Sequence, residues 1–554
     1  MDFDLTALPQ RLFGPDTEPP GHLLARWIFL RGLALIFFSA FYSLAFQIRG
    51  LIGPHGILPA ENYLAEVARV FGAQRFWFAP SVFWWSASDR ALLAACVVGM
   101  LAALLLVLNF FPRGMLIICL VAFVSFISTA RDFAGYQSDG MLLEAGFICL
   151  FFAPAGWRPR LGTSDPPSRA SGFLLIWLMF RIYFESGIAK ILGHDPEWRD
   201  FTALDQYYQN GPLPTWIAWY AHHLPHAFHA ATAALVLILE LFLIFAVFLP
   251  RPFRIVLFFL ITPWEIGIIL TSNYAFLNYL VLLLGILLLD DEFLAKLLPS
   301  SIRTSVGVES ASPGAGSTWS PPKSGPGFAW SPPENVAAQT SPPATWRTRI
   351  RLQVQAFFLT WVFYATCVLL LSMVTRNVPL PTGPVRILEP FRIANDFGLF
   401  GVMTRDRYEI EFQGSRDGQS WTAYPFHYKP QDVTAPPRIF APYQPRFDWN
   451  LWFASLGSWR ENTFVLQVEQ RLLQAEPDVL ALFAGNPFPG EPPLQVRAVL
   501  WQYWFSDWTD KRQHGVWWRR REIGLYAPTI EREPDGKMVI VEWPAGPPAT
   551  LPIQ

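Results

Sequence analysis

Through most of the first half of the chain, apolar residues come in long unbroken runs. They do not form the alternating or 3.6-residue stripes of half-buried strands and helices. A helix rises 1.5 Å per residue, so crossing about 30 Å of hydrocarbon takes about 20 apolar residues. Runs of that kind with almost no charge cover Trp27 to Gln47, Ala91 to Phe111, Gly114 to Ala130, Phe173 to Leu192, Ala227 to Leu249 and Ile255 to Thr271. Two shorter runs, Gly140 to Pro154 and Tyr274 to Leu289, lie beside them, and Leu352 to Thr375 stands alone further on. The pattern predicts a polytopic α-helical membrane protein with about eight to nine transmembrane helices. The first run is too long for a signal-peptide core and lacks an A-x-A-like site, so it is expected to remain as an anchor.

The pattern changes after the eighth run. Pro299 to Trp346 is dominated by Ser, Pro, Gly and Ala and repeats Ser-Pro-Pro at Ser320, Ser331 and Ser341. Such a segment buries too little apolar surface to offset its ordering entropy and reads as a cytoplasmic spacer. The tail from Arg376 carries element signals again. Arg407 to Phe412 and Trp421 to Tyr428 flank a Gly-bearing turn, which reads as a hairpin. Asn462 to Phe483 has helical periodicity, with Pro477 placed to restart a helix. Val496 to Phe505 and Glu522 to Tyr526 return to strand spacing. The expected organisation is a multi-span domain over 1–298, a linker over 299–346, a final span over 347–376 and a C-terminal extracytoplasmic α+β domain over 377–554.

Composition agrees with membrane residence. Hydrophobic residues make up 52% and charged residues 15%, against about 25% charged in soluble domains. The 42 basic and 43 acidic residues give a net charge of −1, which removes the electrostatic basis for nucleic-acid binding. The bilayer is the partner this composition implies. Arg113, Arg158, Arg160, Arg169, Arg251, Arg254, Arg347, Arg349 and Arg351 gather in alternate connections, which places those turns and the N-terminus in the cytoplasm. The outer loop from Arg49 to Arg90 holds four arginines against this bias.

Missing chemistry narrows the function. Cys96, Cys119, Cys149 and Cys367 all fall in predicted spans, so no disulfide framework or C-x-x-C exchange motif is available. No G-x-S-x-G elbow marks a lipase and no P-loop marks an ATPase. No cofactor or metal is expected. No N-x-Ser/Thr sequon occurs, which favours a bacterial inner membrane over the endoplasmic reticulum.

Three outer stretches carry a family resemblance. The first is Gly53-Pro-His-Gly-Ile-Leu-Pro-Ala60. The second runs Glu185-Ser-Gly-Ile-Ala-Lys-Ile-Leu192, then Trp198, then Pro212-Leu-Pro-Thr-Trp-Ile-Ala-Trp-Tyr-Ala-His-His-Leu-Pro225. The third is Arg446-Phe-Asp-Trp-Asn-Leu-Trp-Phe-Ala454 with Asn486-Pro-Phe-Pro489 and Val496-Arg-Ala-Val-Leu500. Together they resemble the lipase maturation factor family, over nearly the whole chain except the linker. That resemblance implies a non-enzymatic membrane factor helping secreted clients, lipases in the eukaryotic members, to mature and fold, as a chaperone does. Eukaryotic members sit in the endoplasmic reticulum membrane with the soluble part in the lumen. The second stretch also resembles, more faintly, the membrane domain of vitamin K-dependent γ-carboxylases, with Lys190 at the position of a base. A carrier for lipids or small molecules is a third reading.

The candidate site residues follow from charge and aromatic placement. Arg181, Glu185 and Lys190 share one span, and Arg181 and Glu185 are spaced to pair on one helix face. Intramembrane charges default to a functional hypothesis. Lys190 is then a base or polar anchor in an outward cavity, or else it snorkels to the surface from the helix end. Glu144, Glu240 and Glu265 are carboxylates in other spans, available for a proton path or for inter-helix hydrogen bonds. His222, His226 and His229 have metal-ligand spacing, but Pro225 interrupts it and an interfacial turn is favoured. Asp448, Trp449, Trp452 and Phe453 form either a client-docking patch or domain core.

Overall fold

The computed structural model describes residues 8–14, 21–297, 346–375 and 378–545. The Ser/Pro-rich linker therefore lies outside the described residues, apart from Trp346. The membrane bundle consists of α1 (Leu23–Ala45), α2 (Asp89–Val107), α3 (Pro112–Thr129), α4 (Gln137–Phe152), α5 (Arg169–Leu192), α6 (His226–Leu241), α7 (Arg251–Thr271), α8 (Leu277–Gly285) and α9 (Trp346–Val374). Among the described residues, seven of these are long and apolar enough to cross a membrane, α6 together with the 3-10 turn that continues it to Phe248. The exceptions are α4 and α8, the two short runs of the sequence.

Both short helices are buried along most of their length. At 1.5 Å per residue α4 spans only about 24 Å. A helix enclosed by other helices does not need to match the thickness of the lipid, because protein surrounds it. The lipid-facing helices show the opposite signature. Leu101, Val256, Phe259 and Phe357 stand more than half exposed on their outer faces, the apolar surface that a bilayer covers.

The helices alternate between two ends. At one end the Asp291 carboxylate accepts the first N–H groups of α1, from Leu23 and Leu24, each at 2.8 Å. Arg26 donates there to Leu161 O at 2.7 Å and Gly162 O at 2.9 Å. Asp165 joins Arg113 at the start of α3 (2.8 Å) to Arg351 near the start of α9 (2.5 Å). This is the end that gathers the basic turns. Local signals set the helix starts: the Ser168 hydroxyl caps α5 by accepting from Ser171 N at 3.2 Å, and Pro112 begins α3.

The C-terminal region packs on the other end. Its sheet has strands β1 (Arg407–Ser415), β2 (Trp421–Ala423), β3 (Gln495–Phe505), β4 (Trp518–Leu525), β5 (Thr529–Arg532) and β6 (Met538–Glu542). The order is β2-β1-β3-β5-β6, with β4 also paired to β3, all antiparallel. The predicted hairpin is present, with Ser415 opposite Trp421. Asp417 holds its turn by accepting from Gln419 N at 2.8 Å and Ser420 N at 2.7 Å. Ile410, Phe412, Val496, Ala498 and Leu500 point to one face, which packs on α10 (Arg446–Ser455) and α11 (Phe464–Leu473). The helix at Pro477–Leu480 starts on its proline, as the sequence predicts.

Arg446 ties this layer to the bundle. Its guanidinium binds both oxygens of Asp139 on α4, at 2.7 and 2.9 Å, and donates to Phe133 O at 2.9 Å. Both side chains are essentially inaccessible. Arg446→Met should leave Asp139 buried without its cation and cost ~3–5 kcal/mol. Thermal unfolding in detergent should show a clear fall in Tm, most of it recovered in the double variant Asp139→Leu/Arg446→Met.

Candidate functional site

The charges that stand out in the spans converge on one stretch of backbone. Residues 393–404 cross the end of the bundle opposite the basic turns without helix or strand, so their peptide groups need partners elsewhere. Side chains of α4, α5 and the loop after α5 supply them. Glu144 accepts from Asn395 N and Nδ2, each at 3.1 Å. Arg181 pairs with Glu144 and donates to Asn395 O at 2.6 Å. Glu185 accepts from Phe397 N at 2.7 Å, and Ser186 Oγ from Leu399 N at 3.2 Å. Lys190 donates to Leu399 O at 2.9 Å, and Trp198 to Phe400 O at 2.8 Å. Asp195 accepts from Met403 N and Asn210 donates to Thr404 O, both at 2.6 Å.

Lys190 also binds both oxygens of Glu240 on α6, at 2.8 and 3.0 Å, and it is 3% exposed. It neither snorkels to the surface nor faces an open cavity. Its ammonium is spent on an inter-helix ion pair and two peptide carbonyls, Leu399 O and, at 3.3 Å, Ser186 O. Arg181 and Glu185 are 3.7 Å apart on the same helix, but Glu144 is the nearer partner of Arg181. The approach depends on small residues. A Cβ at Gly187 would lie 2.9 Å from the Cβ of Glu240, and one at Gly140 would lie 2.6 Å from Asn395 Oδ1. The third carboxylate, Glu265, accepts from Asn278 Nδ2 at 2.8 Å and Tyr183 OH at 2.5 Å.

The histidines are divided between two helices. His222 ends the Trp216–His222 helix, Pro225 precedes α6, and His226 opens it. His226 bonds Asp205 at 2.8 Å, while His229 is 2% exposed beside the Tyr208 ring. Burial pushes His222 down to about 4. Among the described residues no group of three or more His, Cys, Asp or Glu could hold a metal ion.

The α10 motif contributes mainly to the interior. Trp449 is 4% exposed and Trp452 7%, whereas Phe453 is 43% exposed. Trp449 and Phe453 pack on Tyr136 at the entrance to α4, at 4.9 and 5.7 Å between ring centroids. Asp448 accepts from the N–H groups of Tyr428 and Lys429 at 3.3 Å. Burial pushes its carboxyl up to about 7, against the pull of Lys429. Beside it lies a second buried group in which Lys429 bridges Glu409 (2.9 Å) and Ile410 O (2.8 Å), while Arg407 pairs with Glu409. Arg407 reaches across to Gln209 O at 2.9 Å and Pro212 O at 2.8 Å. Neither the reach of Arg407 nor the Asp139 pair is evident from periodicity or motif, because Gln209, Pro212 and Arg446 lie about 200 to 300 residues from their partners in sequence.

A bundle of membrane helices strapped through buried charge to an α+β layer defines a polytopic integral membrane protein with a C-terminal domain. The chain belongs to the lipase maturation factor family. The family model for the lipase maturation factor transmembrane domain matches residues 24–296, and that for the lipase maturation factor C-terminal domain matches 393–528. Human lipase maturation factor 2 is 31% identical over 598 residues, covering 92% of this chain and 83% of the relative. Bovine lipase maturation factor 1 is 29% identical over 538 residues, covering 94% and 91%. No solved structure matches.

Two outcomes test these assignments. Lys190→Met should leave Glu240 buried and unpaired and lower Tm, and Lys190→Met/Glu240→Leu should recover most of the loss. Asp448 has its folded value raised from about 4 to about 7. Folding therefore favours its proton, and the stability it contributes is full below about pH 4 and is lost as pH rises towards 7. Asp448→Asn should accordingly raise Tm relative to the parent protein more at pH 8 than at pH 5.

Proposed function

We propose that this protein is a membrane-embedded maturation factor for secreted proteins, with lipases as its clients, and that it works without chemistry of its own. The observation that carries the reading is the extent of the family match, through both the bundle and the C-terminal layer. The relatives named as lipase maturation factors align with this chain over more than nine-tenths of its length. The charged residues of α5 support a non-enzymatic role, since Lys190 is occupied by Glu240 and Leu399 O.

The same reading sets the orientation. Basic turns face the cytoplasm, so the C-terminal domain and the outer loops lie outside it, where secreted clients fold. The division into 1–298, 299–346, 347–376 and 377–554 follows. The absence of sequons favours a bacterial inner membrane. Phe453, the exposed ring of the α10 motif, is the member of that set open to a client.

Co-expression with a secreted lipase in a host lacking such factors is the direct test. The expected result is more active lipase per unit of lipase antigen, with lipase recovered by crosslinking to the C-terminal domain. Unchanged lipase activity would overturn the reading. If the folded Lys190→Met/Glu240→Leu protein lost this effect while still binding the lipase, Lys190 would be doing chemistry. A phosphatase fused after Gln554 should be active, and one fused within the linker inactive; the reverse pattern would invert the orientation.

A further inference from the structure

Residues 393–404 leave the bundle at the end opposite the basic turns, but the stretch of chain that leads into them starts far below that end. Counted from the basic end, where Asp165 joins Arg113 to Arg351, three helices give its depth. Arg181 lies twelve residues along α5 from Arg169, about 18 Å up at 1.5 Å per residue. Trp361 lies ten residues beyond Arg351 on α9, about 15 Å up. Glu144 lies eight residues from Phe152, the basic end of α4, about 12 Å up. All three hold the same piece of chain. Trp361 Nε1 donates to Pro384 O and Tyr364 OH to Pro381 O, each at 2.9 Å, while Arg181 and Glu144 hold the backbone of Asn395. Leu388 and Ala394 are buried against Val362 and Ala365 of α9. In about 30 Å of hydrocarbon, Pro381 to Asn395 therefore sit near the middle. From there the chain climbs beside α5. Arg181 to Lys190 rises about 13 Å, and the four extended steps from Asn395 to Leu399 match it at about 3.3 Å each.

This re-entrant stretch carries charge on its open side. Arg386, Glu389, Arg392 and Asp396 are exposed, and none has an ion-pair partner among the described residues. Non-helical backbone at membrane depth persists only where protein buries it or where it lines a water-filled cavity. Protein buries Leu388, Ala394 and Phe397 of this stretch, but not the four charges, and unpaired charges facing hydrocarbon are costly. Lipid cannot cover them, so water must. The short α4 leaves room for it, because its far end at Gln137 stops about 24 Å above the basic end, short of the far side of the hydrocarbon. We propose that Pro381 to Asp396 line a water-filled notch beside α9, open to the side of the C-terminal layer and reaching about halfway through the membrane. Such a notch interrupts the lipid-facing surface of the bundle with a polar one. It depends on neither a client nor an orientation of the chain in a particular membrane.

Cysteine accessibility tests it, with single cysteines added to the full-length protein in nanodiscs and a charged, membrane-impermeant maleimide as the probe. Nanodiscs expose both faces to the reagent. The parent protein, with Cys96, Cys119 and Cys149 buried, sets the background. Arg386→Cys and Glu389→Cys replace exposed side chains of the notch, and one or both should label to near completion. Ile266→Cys on α7 is the control. Ile266 is exposed and lies fifteen residues from Arg251, about 22 Å up and so further out than Pro384 or Asn395. It faces lipid, however, and should stay at background. Val98→Cys, on the exposed face of α2, should behave like it. All four positions are exposed, so Tm should be unchanged in each variant. The proposal is overturned if neither Arg386→Cys nor Glu389→Cys labels above background, or if Ile266→Cys and Val98→Cys label as readily as they do.

Discussion

Peptide groups at the edge of a bilayer must be hydrogen-bonded, and residues 395–404 have neither a helix nor a sheet in which to do it. That constraint organises the structure. Each intramembrane charge of α5 has a peptide group of this strap as a partner, and each is balanced by a charge on α4, α5 or α6. A bundle of apolar helices has no general hydrophobic drive to hold a soluble layer at one fixed position. Charge-assisted hydrogen bonds have direction, and they provide the register that apolar packing lacks. The Asp139–Arg446 pair and the reach of Arg407 to Gln209 and Pro212 extend the same device across the junction.

The membrane fold was legible because span length is a physical requirement that a single sequence displays. All nine apolar runs became helices, including the two below full crossing length, and the tail's hairpin and its Pro477 restart were equally local signals. The pairings were not legible. Glu144, Glu185, Lys190 and Glu240 stood out as costly charges, yet nothing local states that Lys190 meets Glu240, fifty residues away, or that Glu144 meets the backbone of Asn395. The strap itself has no periodicity to detect. In the α10 motif, aromatic spacing was equally compatible with core and with surface, and tertiary packing placed Trp449 and Trp452 inside.

Fold and family together make the chain a polytopic membrane member of the lipase maturation factor family. The conspicuous polar residues of the bundle are engaged in structural pairs. The C-terminal layer has one face committed to its own core, and on the other Glu411 accepts from Gln413, Gln431 and Arg520.

The strap also dictates an order of biogenesis. Arg181 and Asn395 are 214 residues apart, so at ~5–20 residues per second α5 is made roughly 10–40 s before the backbone that completes its hydrogen bonding. During that interval a helix whose interior carries Arg181, Glu185 and Lys190 must wait at the insertion machinery or pair provisionally with Glu144 and Glu240. The last membrane helix and the strap arrive after the long linker, and they close the assembly. A chain stopped before residue 395 would contain every helix it needs to enter the membrane, but not the segment that neutralises the demands of its interior.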